Sequence, residues 1–323
     1  MRAALCTKYG PPDVVRVEEI PTPVPKPNEV LIRIIATTVS SADWRIRSFT
    51  LPTGFATLAR LIFGFTGPRA RILGSELVGE ITAIGAAVTR FRVGHQVIAF
   101  PGVHMGAHAE FRALPETASI VKRPANLTDA EAAALCFGGT TALHFLRDVA
   151  QLRAGQRVLI LGASGAVGSA AVQIARHFGA EVTGISSAAN HDLLRGLGAH
   201  HVIDYKAQDF AQLSTPYDVI MDVVNATTFT HAKAALTPTG RFLMVAADLP
   251  AMLGALATIH TAQKAVSSVV PERLADVQLL ADLAAEGKYR PAIDSTFPLA
   301  EIQQAHARVE SGRKRGSVVV MMQ

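Results

Sequence analysis

The stretch Val158-Leu159-Ile160-Leu161-Gly162-Ala163-Ser164-Gly165-Ala166-Val167-Gly168 constrains this chain more than any other. Apolar residues run into a bend of small ones, with glycine at 162, 165 and 168, and a second apolar-faced segment follows at once. Such a run reads as buried strand, tight turn and helix. The spacing is not G-x-G-x-x-G, because Ala163 and Ser164 fill the first gap, but the physics is the same. Small side chains let backbone N–H groups approach an anion, and the helix start adds partial positive charge. Gly168 lets the helix lie close on the strand. Glycine and serine also interrupt the apolar run from Val158 to Ala175, which argues against a membrane span.

From Arg157 onward strands and helices alternate. Strands are expected at 157–161, 181–186, 201–204, 217–223, 240–246 and 265–270, with helices such as 166–178 and 190–197 between most of them. This order builds a doubly wound parallel sheet, covered on both faces through right-handed crossovers, that binds dinucleotides at its strand ends. The second strand falls about 20 residues past the bend, where a dinucleotide's ribose is held. It ends in Ser186 rather than Asp or Glu. A carboxylate there repels a 2′-phosphate, whereas a serine does not and offers a donor. NADP(H) is therefore expected in preference to NAD(H). No Lys or Arg occurs in 186–191, so His191 and Arg195 are the nearest cationic candidates.

Residues 1–122 read as a β-rich domain. Strands are expected at 30–35, 80–84 and 96–100, punctuated by glycines at 74, 79, 85, 94, 102 and 106. Short strands with regular turn signals give a compact, barrel-like domain. Character changes after Pro124, where Thr128 caps an Ala-rich helix over 129–135. Residues 123–270 are read as the dinucleotide-binding domain. The tail, 271–323, reads helix 271–286, strand 292–297, helix 298–311 and strand 316–322, and is expected to complete the first domain. A cleft between two such domains is the expected ligand site.

Composition narrows the function classes. At 323 residues, 49% hydrophobic and 18% charged, the chain has core enough for two domains and no bulk disorder. The net charge of +5 is scattered, with Arg313-Lys314-Arg315 the densest group, which argues against nucleic acid. Two cysteines, Cys6 and Cys136, imply no disulfide framework, and the N-terminus lacks the apolar run of a signal peptide. A cytoplasmic protein acting on a small molecule, with no nucleic-acid or membrane partner, is expected.

Several segments together carry a resemblance. They are Met1-Arg2-Ala3-Ala4, Gly74-Ser75-Glu76-Leu77-Val78-Gly79-Glu80, the bend from Ala163 to Gly168, and Leu197-Gly198-Ala199 leading to Val202-Ile203-Asp204-Tyr205. Near the end come Phe297-Pro298-Leu299, Ala305-His306 and Arg315-Gly316-Ser317-Val318-Val319. Over nearly its whole length the chain resembles the zinc-independent quinone oxidoreductase branch of the medium-chain dehydrogenase/reductase superfamily. The resemblance implies a GroES-like catalytic domain, formed by both chain ends, around a Rossmann domain. It also implies a homodimer, with NADP(H) in the interdomain cleft. By position, Ser164, Gly165, Ala166 and Val167 would meet the pyrophosphate. Ser186, Ser187, Asn190 and Tyr205 would surround the adenosine end. Asn225 and the 245–248 segment, with Ala246 and Ala247, would line the path to the nicotinamide, near Thr141.

Departures from the superfamily pattern shape the chemistry. Its zinc enzymes carry Cys where this chain has Ser40 and His where it has Ser75, and the third ligand position falls at Phe137, beside Cys136. A catalytic zinc normally takes three protein ligands, so no metal is expected. Within the branch, Ser40 stands where Asn is common, and Ala188-Ala189 where a basic residue is common. Without a Lewis acid a simple carbonyl is a poor hydride acceptor, but a quinone or enone spreads the charge itself. The candidates around the ring are Ser40, Asp43, Trp44, Thr140 and Thr141. Ser40 or Thr141 would orient the acceptor oxygen, and Trp44 would stack on a flat acceptor. Each has a structural reading too: Ser40 as the cap of a helix starting near Asp43, Trp44 as packing, Asp43 and Glu76 as carboxylates that hold backbone. Quinone reduction is the first reading. The alternatives are reduction of an enone or enal double bond, and a non-catalytic NADP(H)-binding sensor on the same fold.

Overall fold

A computed structural model describes residues 1–322, which form two compact units. The first comprises Met1–Leu51, Ala56–Phe137 and the chain from Glu272 onward; the second comprises Pro52–Phe55 and Gly138–Pro271. In chain order the strands begin β1 (Arg2–Cys6), β2 (Val15–Glu19), β3 (Glu29–Val39), β4 (Leu77–Ile84), β5 (Gln96–Ala99), β6 (Phe111–Pro115) and β7 (Ile120–Lys122). Then come β8 (Arg157–Leu161), β9 (Glu181–Ser186), β10 (His201–Asp204), β11 (Tyr217–Asp222), β12 (Leu236–Met244) and β13 (Lys264–Val266). The last two are β14 (Ile293–Pro298) and β15 (Ser317–Met321).

In the first unit β3 is the spine. Its run Val30-Leu31-Ile32-Arg33-Ile34-Ile35-Ala36-Thr37-Thr38-Val39 is rich in β-branched residues and buried except around Arg33. β4 runs antiparallel along one edge; β6 covers residues 29–33 and β15 residues 36–39 of the other. Glycine at 79 is demanded here, since a Cβ would strike Arg33 O and the Ile32 side chain across the ladder. Ile32, Leu77, Ile81, Val97, Ile120, Leu299 and Val318 share one core. Each such side chain removed from water contributes about 1.5–3 kcal/mol.

The division falls between Phe137 and Gly138, not at the composition change near Pro124. Helix Asp129–Ala133, capped by Thr128, packs on β3, β4, β14 and β15. Behind it, Tyr289 Oη donates to Leu135 O at 3.3 Å and Asn126 Nδ2 to Ala284 O at 2.7 Å. The tail thus clasps residues 123–137 into the first unit. Conversely Pro52–Phe55 goes with the second unit, where Leu249 N donates to Thr53 O at 3.0 Å.

The second unit is a six-stranded parallel sheet in the order β10-β9-β8-β11-β12-β13. Strand order reverses between β8 and β11, and in such sheets the ligand crevice opens there, at the carboxyl ends. β12 starts earlier than expected because Leu236 pairs with Tyr217 before a register shift, carrying the strand through Pro238 and Gly240. β13 is cut short to three residues, since among the described residues its only neighbour is β12, which ends at Met244. Helix Ala166–His177 buries Gly168 and Ala170 through Ala175 on this sheet. Among the described residues no helix is long and apolar enough to cross a membrane.

Candidate functional site

The bend after β8 is built for close approach. Gly162 adopts φ 73°, and a Cβ on it would lie 2.6 Å from Val224 Cγ1. A Cβ on Gly168 would strike Gly162 O and approach Ala163 Cα to 2.6 Å, and one on Gly138 would lie 2.6 Å from Ala166 O. These three glycines answer to packing. Gly165 does not: its φ of −77° suits any residue, and a Cβ would meet only Gly162 O, at 3.6 Å. Gly165 is also the N-cap of helix Ala166–His177, and no side chain caps that helix. The N–H groups of Ala166, Val167 and Gly168 therefore have neither an intrahelical acceptor nor a side-chain cap, and the helix dipole lies behind them. A pyrophosphate fits that cradle.

The residues expected at the adenosine end converge on the same end of the sheet. Asn190 Nδ2 donates to Ser164 Oγ at 3.0 Å and to Ser187 Oγ at 3.3 Å, tying the end of β9 to the bend. Asn190 Oδ1 and His191 Nε2 are enclosed without a hydrogen-bond partner, a costly state that a ligand would relieve. Ser186 is buried and its hydroxyl donates to Ser187 O at 3.1 Å. Ser187, half-buried, accepts from Asn190 through its own hydroxyl oxygen and keeps the hydroxyl proton free to donate. Tyr205 stands exposed beyond β10, its N–H on Ser186 O at 3.3 Å. Across the switch point Asn225 takes a left-handed φ of 58°. That turn hangs on Asp222, whose buried carboxylate accepts the N–H of Val224 (3.0 Å), Ala226 (2.8 Å) and Thr227 (3.0 Å). Burial nevertheless pushes the Asp222 carboxyl up from its ordinary value. Ala246 and Ala247 follow β12 at the same sheet end, and Asp248 caps helix Leu249–Leu256. Asp222 escaped the sequence reading. An Asp closing a buried strand before a polar loop was its only signal.

In the first unit two buried carboxylates draw three segments together. Asp43 Oδ2 accepts from Ser40 N at 2.8 Å and Ser40 Oγ at 2.6 Å, and Asp43 Oδ1 accepts from Gly74 N at 2.8 Å. Ser40 Oγ in turn accepts from Asp43 N at 3.2 Å, a capping box that starts helix Ser41–Ser48. The hydroxyl proton of Ser40 is therefore given to Asp43. Glu76 Oε1 accepts from Thr38 Oγ1 at 2.6 Å; Glu76 Oε2 accepts from the N–H of Cys136 and Phe137, each at 2.8 Å. Burial pushes Glu76 up to about 7, against these three donors, and nearby Asp43 adds to the rise. Trp44 packs against the core with Nε1 enclosed and unpartnered, and Ser75 Oγ is likewise unpartnered. Thr141 lies in the second unit, buried on helix Cys136–Leu143.

The residues around positions 40, 75 and 137 do not suit a catalytic zinc. Two offer neutral hydroxyls and the third is Phe137. Cys136, next to it, is fully buried, and burial beside Glu76 pushes its thiol well up, away from the thiolate that zinc binds.

Residues 26–125 match the alcohol dehydrogenase GroES-like domain family and residues 197–320 the zinc-binding dehydrogenase family. The chain is 31% identical to the chloroplast envelope quinone oxidoreductase homolog of Arabidopsis thaliana, over 94% of this chain and 92% of that one. It is also 31% identical to the mitochondrial NAD(P)H oxidoreductase RTN4IP1 of Bos taurus, over 99% and 89% of the two chains. The solved quinone oxidoreductase of Coxiella burnetii superposes with a TM-score of 0.84 at 28% identity, covering 100% and 99%. With its Rossmann sheet, its GroES-like domain and these relatives, the chain belongs to the quinone oxidoreductase branch of the medium-chain dehydrogenase/reductase superfamily and is an oxidoreductase that uses a nicotinamide cofactor.

Proposed function

We propose that this protein is an NADPH-dependent, zinc-independent reductase that delivers hydride to a quinone-like acceptor. The observation that carries the reading is the uncapped start of helix Ala166–His177, where Gly165 leaves room that no packing demand explains. Ala166, Val167 and Gly168 would hold the pyrophosphate through their N–H groups, and Ser187, Asn190 and Tyr205 the adenosine end. Ser186 puts no carboxylate against a 2′-phosphate, which favours NADPH over NADH.

The bound nicotinamide supplies the hydride. With one proton from solvent this takes a quinone to its hydroquinone, a two-electron step. Asn225, Ala246 and Ala247 would line the approach to the ring. Thr141 would orient the acceptor oxygen and Trp44 its flat face. The Ser40–Asp43 box would hold the backbone at Gly74 rather than give a proton, because its proton is already committed. A quinone needs positioning more than activation, which suits hydroxyls in place of metal ligands. The protein would work as a cytoplasmic homodimer, a state that sedimentation would check.

The test is turnover of NADPH against a panel of quinones and enones, followed at the nicotinamide absorbance, with product identification and metal analysis. Hydroquinone formation without stoichiometric zinc is the expected outcome. Saturated carbonyl products would move the assignment to an enone reductase. Tight cofactor binding without turnover of any acceptor would make it a sensor.

A further inference from the structure

We propose that Lys206 is the cation that recognises the 2′-phosphate of NADPH, so that cofactor choice is made from the strand next to the one that ends in Ser186. The inference rests on the NADPH reading above.

A ribose 2′-phosphate is a compact anion, and discrimination needs a positive group within reach of it. The loop after β9, Ser187-Ala188-Ala189-Asn190, contains none. Arg195, on the following helix, already pairs with Asp192 at 3.1 Å. Asn190 Oδ1 in this loop and His191 Nε2 at the start of the next helix nonetheless stand enclosed and unpartnered.

Sequence distance hides the missing charge. β10 lies parallel to β9, with Asp204 opposite Ser186. Tyr205 N donates to Ser186 O at 3.3 Å, and the chain turns at once. Lys206 N donates to Asp204 Oδ1 at 3.0 Å, and Ala207 N and Gln208 N both donate to Asp204 O at 3.0 Å. Lys206 therefore emerges at the end of β9, one residue past the backbone contact with Ser186. It is exposed, and its ammonium makes no ion pair among the described residues. Asp204, whose Oδ1 accepts from the Lys206 N–H, is held by the turn itself. A lysine ammonium on a four-carbon stem can swing onto a phosphate without disturbing the sheet.

The test is fluorescence titration of NADPH and NADH against the full chain, its Lys206→Ala variant and its Lys206→Arg variant. The unaltered chain is expected to bind NADPH at least tenfold tighter than NADH. Lys206→Ala should lose at least tenfold of NADPH affinity and less than twofold of NADH affinity, and Lys206→Arg should restore most of the loss. If the unaltered chain prefers NADPH and Lys206→Ala keeps that ratio within twofold, the role of Lys206 is overturned while the NADPH reading stands. If the unaltered chain shows no preference, the NADPH reading itself fails and takes this assignment with it.

Discussion

Glu76 shows how one buried carboxylate can be held by three donors and still resist ionisation. The hydrogen bonds from Thr38, Cys136 and Phe137 favour the charged form, but burial outweighs them and lifts the group from 4.5 to about 7. A carboxyl raised in the folded state binds more protons there than in the unfolded chain between these values. Its contribution is full below about pH 4.5 and is lost as pH rises through about 7, amounting to roughly 3 kcal/mol. Glu76→Gln should flatten the fall in stability over that window, as measured by denaturant titration at several pH values. An unchanged slope would show that Glu76 ionises freely. Glu76 was legible in the sequence only as a candidate. What it holds, the N–H groups 60 and 61 residues away, is a tertiary matter.

Helix starts divide by task. Ser41–Ser48 and Asp129–Ala133 each begin in a capping box, with Ser40 and Thr128 as N-caps. The cap of Thr128 was readable from residue type alone, and for Ser40 the cap was one of two readings. Helix Ala166–His177 begins on Gly165 with no cap. An Asp at an N-cap normally stabilises a helix by about 1 kcal/mol over residues that cannot cap, and less over glycine. Gly165→Asp should therefore leave the thermal midpoint unchanged or raised. On the proposed reading it should also weaken NADPH binding at least tenfold, by placing a carboxylate where the pyrophosphate would sit. Calorimetry and cofactor titration on one sample would separate the two effects. A variant that binds NADPH normally would remove the cradle from the account. Strand lengths were less legible than helix starts. β12 is prolonged through Pro238 and Gly240 by a pairing with Tyr217 that no local signal announces.

Over the whole molecule, the first unit depends on chain ends that meet. β15 sits between β14 and the 36–39 stretch of β3, so it joins the tail to the sheet laid down by the first third of the chain. Ending the chain at Gly316 would free β14 and bare that edge of β3. The expected outcome is loss of a cooperative unfolding transition, followed by near- and far-UV circular dichroism, since among the described residues neither edge has another partner. Apolar periodicity, turn residues and the glycine bend determined β3, β4, β5 and the alternation of strands and helices after Arg157, and that the sheet there is parallel, but not β1, β2, β6 or β7. These are local properties, set by side-chain size, branching and backbone freedom within a few residues. Only the tertiary structure decided where the two units divide, that Ser186 is buried while Ser187 is bonded to Asn190, and that Lys206 stands beside the end of β9. Each of those depends on which distant segments are hydrogen-bonded neighbours. A single sequence does not carry that information, because pairing across a sheet is chosen by the burial of the whole core and not by any one strand.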